Sequence, residues 1–201
     1  MQNERYDSLN LAGKTILITG AAGFIGSNLV RYFTTHHPHT KILALDYFRD
    51  GTTFINGNPS SLGHFKNLAP HKNVEVLAFD ISNFNDLRKT FAHYGKIHYV
   101  FHQAAISDTT CTDMKHVMDV NLNAFKELVK IAARHEAHII YASSAATYGI
   151  TEAPNSVGKN ELPENIYGYS KLCMDIENAR MQEELQSMEY VRSAVIVPSV
   201  L

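Results

Sequence analysis

The stretch TILITGAAGFIGSNLV, residues 15–30, joins a short apolar run to a segment of helical period through Gly20, Gly23 and Gly26. A strand that enters a glycine turn and then a helix brings the free amides and positive end of that helix close to a bound pyrophosphate. The next apolar run ends at Asp46, about 20 residues further on, where a carboxylate accepts hydrogen bonds from an adenosine ribose. This pattern predicts a dinucleotide site.

Short apolar runs recur along the chain and alternate with segments of helical period. Runs of this kind are typical of strands buried on both faces of a parallel sheet. The alternation implies right-handed crossovers, so the predicted fold class is α/β, a Rossmann-like doubly wound parallel sheet with helices on both faces. The predicted strands are 15–19, 41–45, 74–79, 98–102, 138–142 and 191–197, and the predicted helices are 27–33, 85–93, 113–135 and 168–185.

The length and two long loops limit the domain organisation. A chain of 201 residues has room for one core of ordinary size, so we expect a single NAD(P)-binding domain over residues 1–201. Segments 50–72 and 149–165 are rich in Gly, Asn, Pro and Ser, and loops this long are uncommon unless they are functional. Both follow predicted strands, so we expect them near the ligand crevice.

Composition argues against several classes of partner. The net charge of −2 provides no basic surface for nucleic acid or for an anionic membrane. No secretory signal begins the sequence and no apolar run approaches the ~18 residues of a membrane helix, so we expect a cytoplasmic protein. Cys111 and Cys173 form no C-x-x-C pattern, and HHPH at 36–39 reads as a surface loop. We therefore expect neither a disulfide nor a metal site.

Candidate catalytic groups follow the fifth predicted strand. Ser143 and Ser144 stand at the strand end, where a parallel sheet presents side chains to its ligand crevice. Tyr167 and Lys171 occupy positions i and i+4 of the next predicted helix, so their side chains share one face. Tyr169 points away from that pair and is expected to be structural.

The chemistry of these groups suits proton transfer at a carbinol. A phenol ordinarily has a pKa near ~10, too high for a base at neutral pH. A neighbouring ammonium and an oxidised nicotinamide favour the phenolate, and a serine hydroxyl can hold the substrate oxygen in line. We therefore predict Tyr167 as the base, Lys171 as the group that favours its phenolate, and Ser144 as the group that positions the substrate.

Other polar residues have two readings each. Asp46 favours a free ribose 2′-hydroxyl and hence NAD, because a carboxylate repels a 2′-phosphate. Arg49 lies three residues further on, where it either binds such a phosphate or is a solvated loop arginine. Asp80 and Ile81 follow the third strand and are expected to contact adenine, or to form a helix cap or turn. Asn121 lies in an apolar helix, where it holds active-site backbone or water or makes a simple polar contact.

Three motifs together resemble a known family. TGAAGFIG at 19–26, ASSAATYG at 142–149 and YGYSK at 167–171 resemble the extended short-chain dehydrogenase/reductases, in their nucleotide-sugar epimerase and dehydratase group. The resemblance covers residues 13–175. The longer strings DYFRDGTTF at 46–54 and FHQAAISDTT at 101–110 are most similar to the ADP-heptose 6-epimerase branch of that group, which takes part in lipopolysaccharide biosynthesis.

The resemblance implies a reaction and its cofactor. Hydride is removed from C6 of the sugar to a tightly held NADP, the ketone rotates, and hydride returns to the opposite face, so the net reaction is an isomerisation. The implied substrate is a nucleotide sugar, with ADP-heptose favoured, and the implied catalytic residues are Tyr167, Lys171 and Ser144. With the residues predicted above, the expected cofactor site comprises Gly20, Gly23, Phe24, Ile25, Gly26, Asp46, Tyr47, Asp80, Ile81, Gln103, Ala104, Ala105, Ile106, Ser107, Asn121 and Lys171.

The sequence departs from the family pattern in two places. Thr53 stands where the family often has a lysine near the cofactor, which argues for NAD over NADP. From residue 176 to residue 201 the motifs no longer match, so we expect a truncated or frame-shifted product that lacks the substrate-binding portion. The alternatives are another nucleotide-sugar 4-epimerase or dehydratase, and a non-catalytic dinucleotide-binding module. Relatives often pair through the helix at 113–135, so a homo-oligomer is a possible assembly.

Overall fold

Five parallel strands form the central sheet. The computed structural model describes residues 11–48, 63–68, 71–152, 155–156 and 158–186. The strands are β1 (Thr15–Thr19), β2 (Lys41–Asp46), β3 (Val74–Ala78), β4 (Tyr99–His102) and β5 (His138–Tyr141). They pair in the order β3-β2-β1-β4-β5, always parallel. The order reverses between β1 and β4, and doubly wound sheets bind ligands at the carboxyl ends of such a pair.

Helices follow the strands and cover both faces of the sheet, which confirms the predicted Rossmann-like α/β fold. Asn83 and Asp113 begin two of them by accepting hydrogen bonds from the backbone amides of Asp86 and His116, as N-cap side chains do. The helices are α1 (Phe24–His36), α2 (Phe84–Tyr94), α3 (Met114–Met118), α4 (Ala124–Arg134) and α5 (Ile166–Gln186), with short 3₁₀ turns at Phe65–Asn67 and Ala145–Thr147.

Two apolar layers hold the helices to the sheet. Successive residues of a strand point to opposite faces. Ile16 and Ile18 of β1 pack with Val30 and Phe33 of α1 on one face. Leu17 points to the other face, where it joins residues of α2, α3, α4 and α5. The sheet is thus held rigidly on both sides, which fixes the positions of the residues at its carboxyl edge.

Strand β3 differs from the prediction that the strands are buried on both faces. Glu75, Val76 and Ala78 are exposed, and the strand ends one residue before the predicted end. The cause is its place at the edge of the sheet, where, among the described strands, only β2 pairs with it. An apolar run by itself does not distinguish an edge strand from a central one.

The helix predicted over residues 113–135 is interrupted. α3 ends at Met118, a π-helical turn occupies Asp119–Asn123, and α4 begins at Ala124. Apolar periodicity alone did not indicate this turn. π-helical turns often mark functional sites, and this one directs Asn121 into the interior, where it is fully buried.

Several predicted segments lie outside the described residues. These are the strand at 191–197, most of the loop at 50–72, and with that loop Arg49 and Thr53. The helix α5 continues past residue 175 to Gln186. None of the helices in the described ranges is both long and apolar enough to cross a membrane.

Candidate active site

The glycine turn after β1 packs so closely against the backbone that a residue with a side chain would not fit. Gly20 has φ +64°, and a Cβ atom there would lie 2.7 Å from the amide nitrogen of Ala104. A Cβ atom on Gly26 would lie 2.1 Å from the carbonyl oxygen of Gly20. The two glycines therefore let α1 begin directly against the turn and let the turn lie against the segment after β4.

Within the described residues, no side chain caps the N-terminus of α1. Gly23 precedes the helix in an extended conformation with no side-chain cap, and the first turn carries no acidic residue. The first amides of a helix have no partner within it and carry a partial positive charge. This 13-residue helix therefore presents an anion-binding end beside Gly20, and the site fits a pyrophosphate.

Asp46 ends β2 at the edge of the same cavity. One carboxylate oxygen accepts from the amide of Ala22 and the other from the amide of Phe48, each at 2.9 Å. Gly63 packs against it, because a Cβ atom at that position would lie 2.8 Å from both oxygens. These contacts fix the carboxylate beside the glycine turn, and a predicted ribose-binding residue therefore has a defined position.

A groove of about 260 Å³ runs along the carboxyl edge of the sheet. It contains almost all of the predicted cofactor residues, and it also contains Leu45, Gly63, Val120 and Ala142, which were not predicted from the sequence. Tyr167 of the predicted catalytic set lines it too. The predicted residues that line it are Gly20, Gly23, Phe24, Ile25, Gly26, Asp46, Tyr47, Asp80, Ile81, Gln103, Ala104, Ala105, Ile106, Ser107 and Lys171.

Asp80 forms the turn that was one of the two readings of its position, and its contact with adenine stays a prediction. It lines the groove, and its carboxylate also accepts from the amide and hydroxyl of Ser82 at 2.9 and 2.8 Å. These bonds form the turn that precedes α2. The turn therefore sets the orientation of a side chain that faces the groove.

A buried contact joins the ends of β1 and β4. The hydroxyl of Thr19 lies 2.8 Å from Nδ1 of His102 and accepts from the amide of Ala104 at 3.1 Å. Among the described residues, Nε2 of His102 has no partner. Burial, and then the positive charge of Lys171, lower the pKa of His102 to about 3. His102 is therefore neutral near physiological pH, and its Nδ1 contacts the same Thr19 hydroxyl that holds the amide of Ala104.

Asn121 holds the groove wall from behind and does not line it. Its Oδ1 accepts from the amide of Ile106 at 2.8 Å, and its Nδ2 donates to the carbonyl of Ile106 at 3.1 Å and to the hydroxyl of Ser170 at 2.9 Å. Of the two readings, the structure supports the one in which Asn121 holds active-site backbone. The residue ties the segment after β4 to α5.

Removing this amide is expected to destabilise the protein. Asn121→Ala leaves the buried amide and carbonyl of Ile106 unpaired, and we expect a loss of about 3 kcal/mol in the free energy of unfolding. Asn123→Ala, an exposed position of the same turn, is the matched control and is expected to cost less than about 0.5 kcal/mol. Urea unfolding of both variants measures the difference; equal stabilities would contradict the role of Asn121.

Lys171 enters the groove from α5. It is 3% exposed, its Nζ donates to the carbonyl of Ala142 at 2.8 Å, and Nζ lies 5.9 Å from the ring centre of Tyr167. Burial lowers the pKa of Lys171 to about 8, although the negative charge of Asp175 opposes the change. The ammonium form is thus present below about pH 8, next to the tyrosine with which it shares a helix face.

The two serines after β5 have different surroundings. Ser143 is buried and donates to the carboxylate of Asp175. Ser144 begins the 3₁₀ turn Ala145–Thr147 and accepts from the amide of Ala146 at 3.2 Å. A Cβ atom on Gly168 would lie 2.4 Å from the carbonyl oxygen of Ala146, so the start of α5 packs directly on this turn. Ser144 is therefore close to the Tyr167 end of α5, although it does not line the groove.

Tyr169 is separated from the groove. It is 50% exposed, and a hydrogen bond with Cys173 raises the pKa of its phenol. The two tyrosines of YGYSK thus differ in environment, because only Tyr167 lines the groove.

Comparisons with known proteins agree with this geometry. The solved structure of Helicobacter pylori ADP-L-glycero-D-manno-heptose-6-epimerase matches with a TM-score of 0.76 and 51% identity, over 87% of this chain and 52% of that one. UDP-N-acetylglucosamine 4-epimerase from Methanobrevibacter ruminantium matches at 0.74 and 22% identity, over 92% and 54% of the two chains. UDP-glucose 4-epimerase from Brucella ovis matches with a TM-score of 0.73 and 21% identity, over 92% of this chain and 51% of that one. These last two show a shared fold.

The matches cover most of this chain but only part of each solved protein. The chain spans about half the length of the solved proteins named above. The model of the NAD dependent epimerase/dehydratase family matches residues 16–195, and so extends past residue 175, where the motif resemblance ends. Since the match includes β1 with its glycine turn, the groove and α5, this chain belongs to the NAD dependent epimerase/dehydratase family.

Proposed function

We propose that this protein is an NAD(P)-dependent nucleotide-sugar epimerase that inverts C6 of an ADP-heptose. The observation that carries the proposal is that Tyr167 and Lys171 line the same groove as the glycine turn. A proton-transfer pair and an anion-binding helix end thus meet in one cavity. The 51% identity to a heptose 6-epimerase supports heptose over hexose as the sugar.

The residues that line the groove support dinucleotide binding as part of the proposal. The amides at the start of α1 would hold the pyrophosphate, Asp46 a ribose, and the walls formed by Ile81 and by residues 103–107 the remaining surface. A nicotinamide bound in the groove would supply the hydride acceptor for oxidation of the sugar carbinol and the hydride donor for the return step. The exposed apolar side chains Phe24 and Ile25 lie in the groove and would be covered by such a ligand.

The protein's own groups perform the proton transfer. Tyr167 takes the hydroxyl proton from the carbinol at C6 and returns it when the ketone is reduced, as a general base and then a general acid. Lys171, held by the carbonyl of Ala142, places a positive charge beside the phenol and favours its phenolate. Ser144 would hold the substrate oxygen in line. Rotation of the ketone between the two transfers inverts the configuration.

The substrate is tested by offering two sugars. The protein is incubated with ADP-D-glycero-D-manno-heptose and, separately, with UDP-glucose, and the products are identified by proton NMR. We expect a C6 epimer from the first and no change in the second. A C4 epimer from UDP-glucose would replace the proposal by a hexose 4-epimerase. Tight dinucleotide binding with no epimer from either sugar would favour a binding module.

Asp46 is expected to control the choice between NAD and NADP. Its carboxylate repels a 2′-phosphate, so Asp46→Asn is expected to improve NADP binding relative to NAD by at least about tenfold, or about 1.4 kcal/mol. Dissociation constants of both reduced cofactors, from fluorescence titration, give the ratio. Glu136→Gln, an exposed charge that precedes β5, is the control. An unchanged ratio in Asp46→Asn would show that this carboxylate does not face the ribose.

A further inference from the structure

Asp175 lies one helical turn after Lys171 and joins α5 to the end of β5. Its carboxylate accepts from the hydroxyl of Tyr141 at 2.6 Å and, through its other oxygen, from the hydroxyl of Ser143. These two donors flank Ala142, whose carbonyl accepts from Nζ of Lys171. Asp175 and Lys171 of α5 therefore bind three consecutive residues, Tyr141 at the end of β5 and the two residues that follow it.

We propose that Asp175 is a positioning residue for the proposed reaction, which fixes the carbonyl that holds Lys171 and places a negative charge beside the buried ammonium. The effect of Asp175 on catalysis rests on the proposed function. Lys171 is 3% exposed, so its ammonium group has lost most of its hydration, and an isolated charge in such a place is costly. A carboxylate one turn away on the same helix compensates for part of that cost.

The other titratable groups around Lys171 do not supply this charge. His102 on β4 is neutral, because its pKa is about 3. Tyr167 and Tyr141 are phenols, and burial with the Asp175 contact raises the pKa of Tyr141, which keeps it protonated. The turn Ala145–Thr147 has no titratable side chain. Further along α5, Glu177 pairs with Lys126 of α4 and with Arg180.

The pKa values agree with this geometry. Burial lowers the pKa of Lys171 to about 8, and Asp175 acts against that change. Without the carboxylate, we expect the pKa of Lys171 to fall further, because burial then acts unopposed. The ammonium favours the phenolate of Tyr167. As pH rises, turnover of a variant without the Asp175 carboxylate is therefore expected to fall at a lower pH than turnover of the wild type.

The test measures the titration of Lys171 directly. Lysine is labelled with ¹⁵N at Nζ, the signal of Lys171 is assigned by its loss in Lys171→Arg, and its pH titration is followed by NMR without sugar or dinucleotide. In Asp175→Asn we expect the pKa of Lys171 to fall by about one unit. Asp175→Glu keeps the charge and is expected to restore most of the shift. Glu177→Gln removes a carboxylate from the same helix and is expected to leave the titration unchanged.

The outcomes separate this inference from the proposed function. Titration of Lys171 at the same pH in wild type and Asp175→Asn would overturn the inference, whatever the enzymatic activity. The expected shift in a protein that forms no epimer would support the role of Asp175 and count against the proposed function. Circular dichroism checks the fold of each variant, and Asp175→Ser, which also removes the charge, replaces Asp175→Asn if the latter does not fold.

Discussion

Replacing Tyr167 by phenylalanine is expected to lower turnover of the nucleotide sugar by about 10² to 10⁴-fold, the usual contribution of a positioned general acid and base. The change removes one oxygen atom and leaves the ring that lines the groove. Dinucleotide binding should therefore stay within about twofold of the wild-type value, a difference of about 0.4 kcal/mol. Steady-state kinetics and cofactor titration of the same preparation measure both quantities.

The chain provides a matched control for this change on the same helix. Tyr169→Phe removes a phenol two positions away that is half exposed and bonded to Cys173, and its turnover is expected to equal that of the wild type. If Tyr167→Phe kept full turnover, Tyr167 would not move the proton. If both variants lost turnover equally, the effect would come from the helix and not from one hydroxyl.

Replacing Gly26 by alanine is expected to weaken dinucleotide binding by about a hundredfold, or about 2.7 kcal/mol. The added Cβ atom would lie 2.1 Å from the carbonyl oxygen of Gly20, and neither atom belongs to a flexible side chain. The start of α1 must therefore move away from the turn, and its amides no longer point at the pyrophosphate position. Fluorescence titration with the reduced cofactor measures the loss.

The neighbouring residue on α1 serves as the control for Gly26. Ser27→Ala keeps the contact between the helix and the turn and removes only a hydroxyl that donates to Phe24 at 3.3 Å. Its dinucleotide affinity is expected to stay at the wild-type value. Wild-type affinity in Gly26→Ala, by contrast, would mean that the ligand does not use the start of α1.

Much of the fold follows from local patterns. The apolar runs identify all five described strands, and the signal is clearest in β1 and β2, which are buried on both faces of the sheet. The position of β3 at the edge was not predictable from its own residues, since the edge is set by the order in which strands pair. The π-helical turn was also missed, because Ile106 and Ser170, the hydrogen-bond partners of its Asn121, are brought to it only when the chain folds.

The groove residues that could be predicted are those whose relative positions follow from a short stretch of sequence. Spacing within a few residues predicts the glycine turn and the pair of Tyr167 and Lys171. Asp46 is predicted because its strand ends beside the strand that leads into the glycine turn. Asp175 gave no signal in the sequence, because its partners Tyr141 and Ser143 lie more than 30 residues away. Gly63 and Ala142 were missed for the same reason: their importance arises from contacts across the fold.

The most direct test of the proposed reaction follows the hydrogen atom at C6 of the sugar. ADP-heptose carrying deuterium at C6 is incubated with the protein in ordinary water, and the product is analysed by NMR and mass spectrometry. Transient oxidation predicts a C6 epimer that retains the deuterium, because the hydrogen removed as hydride returns to the same carbon. An epimer that has exchanged its deuterium for a solvent proton would contradict transient oxidation at C6, and the absence of any epimer would contradict the proposed function.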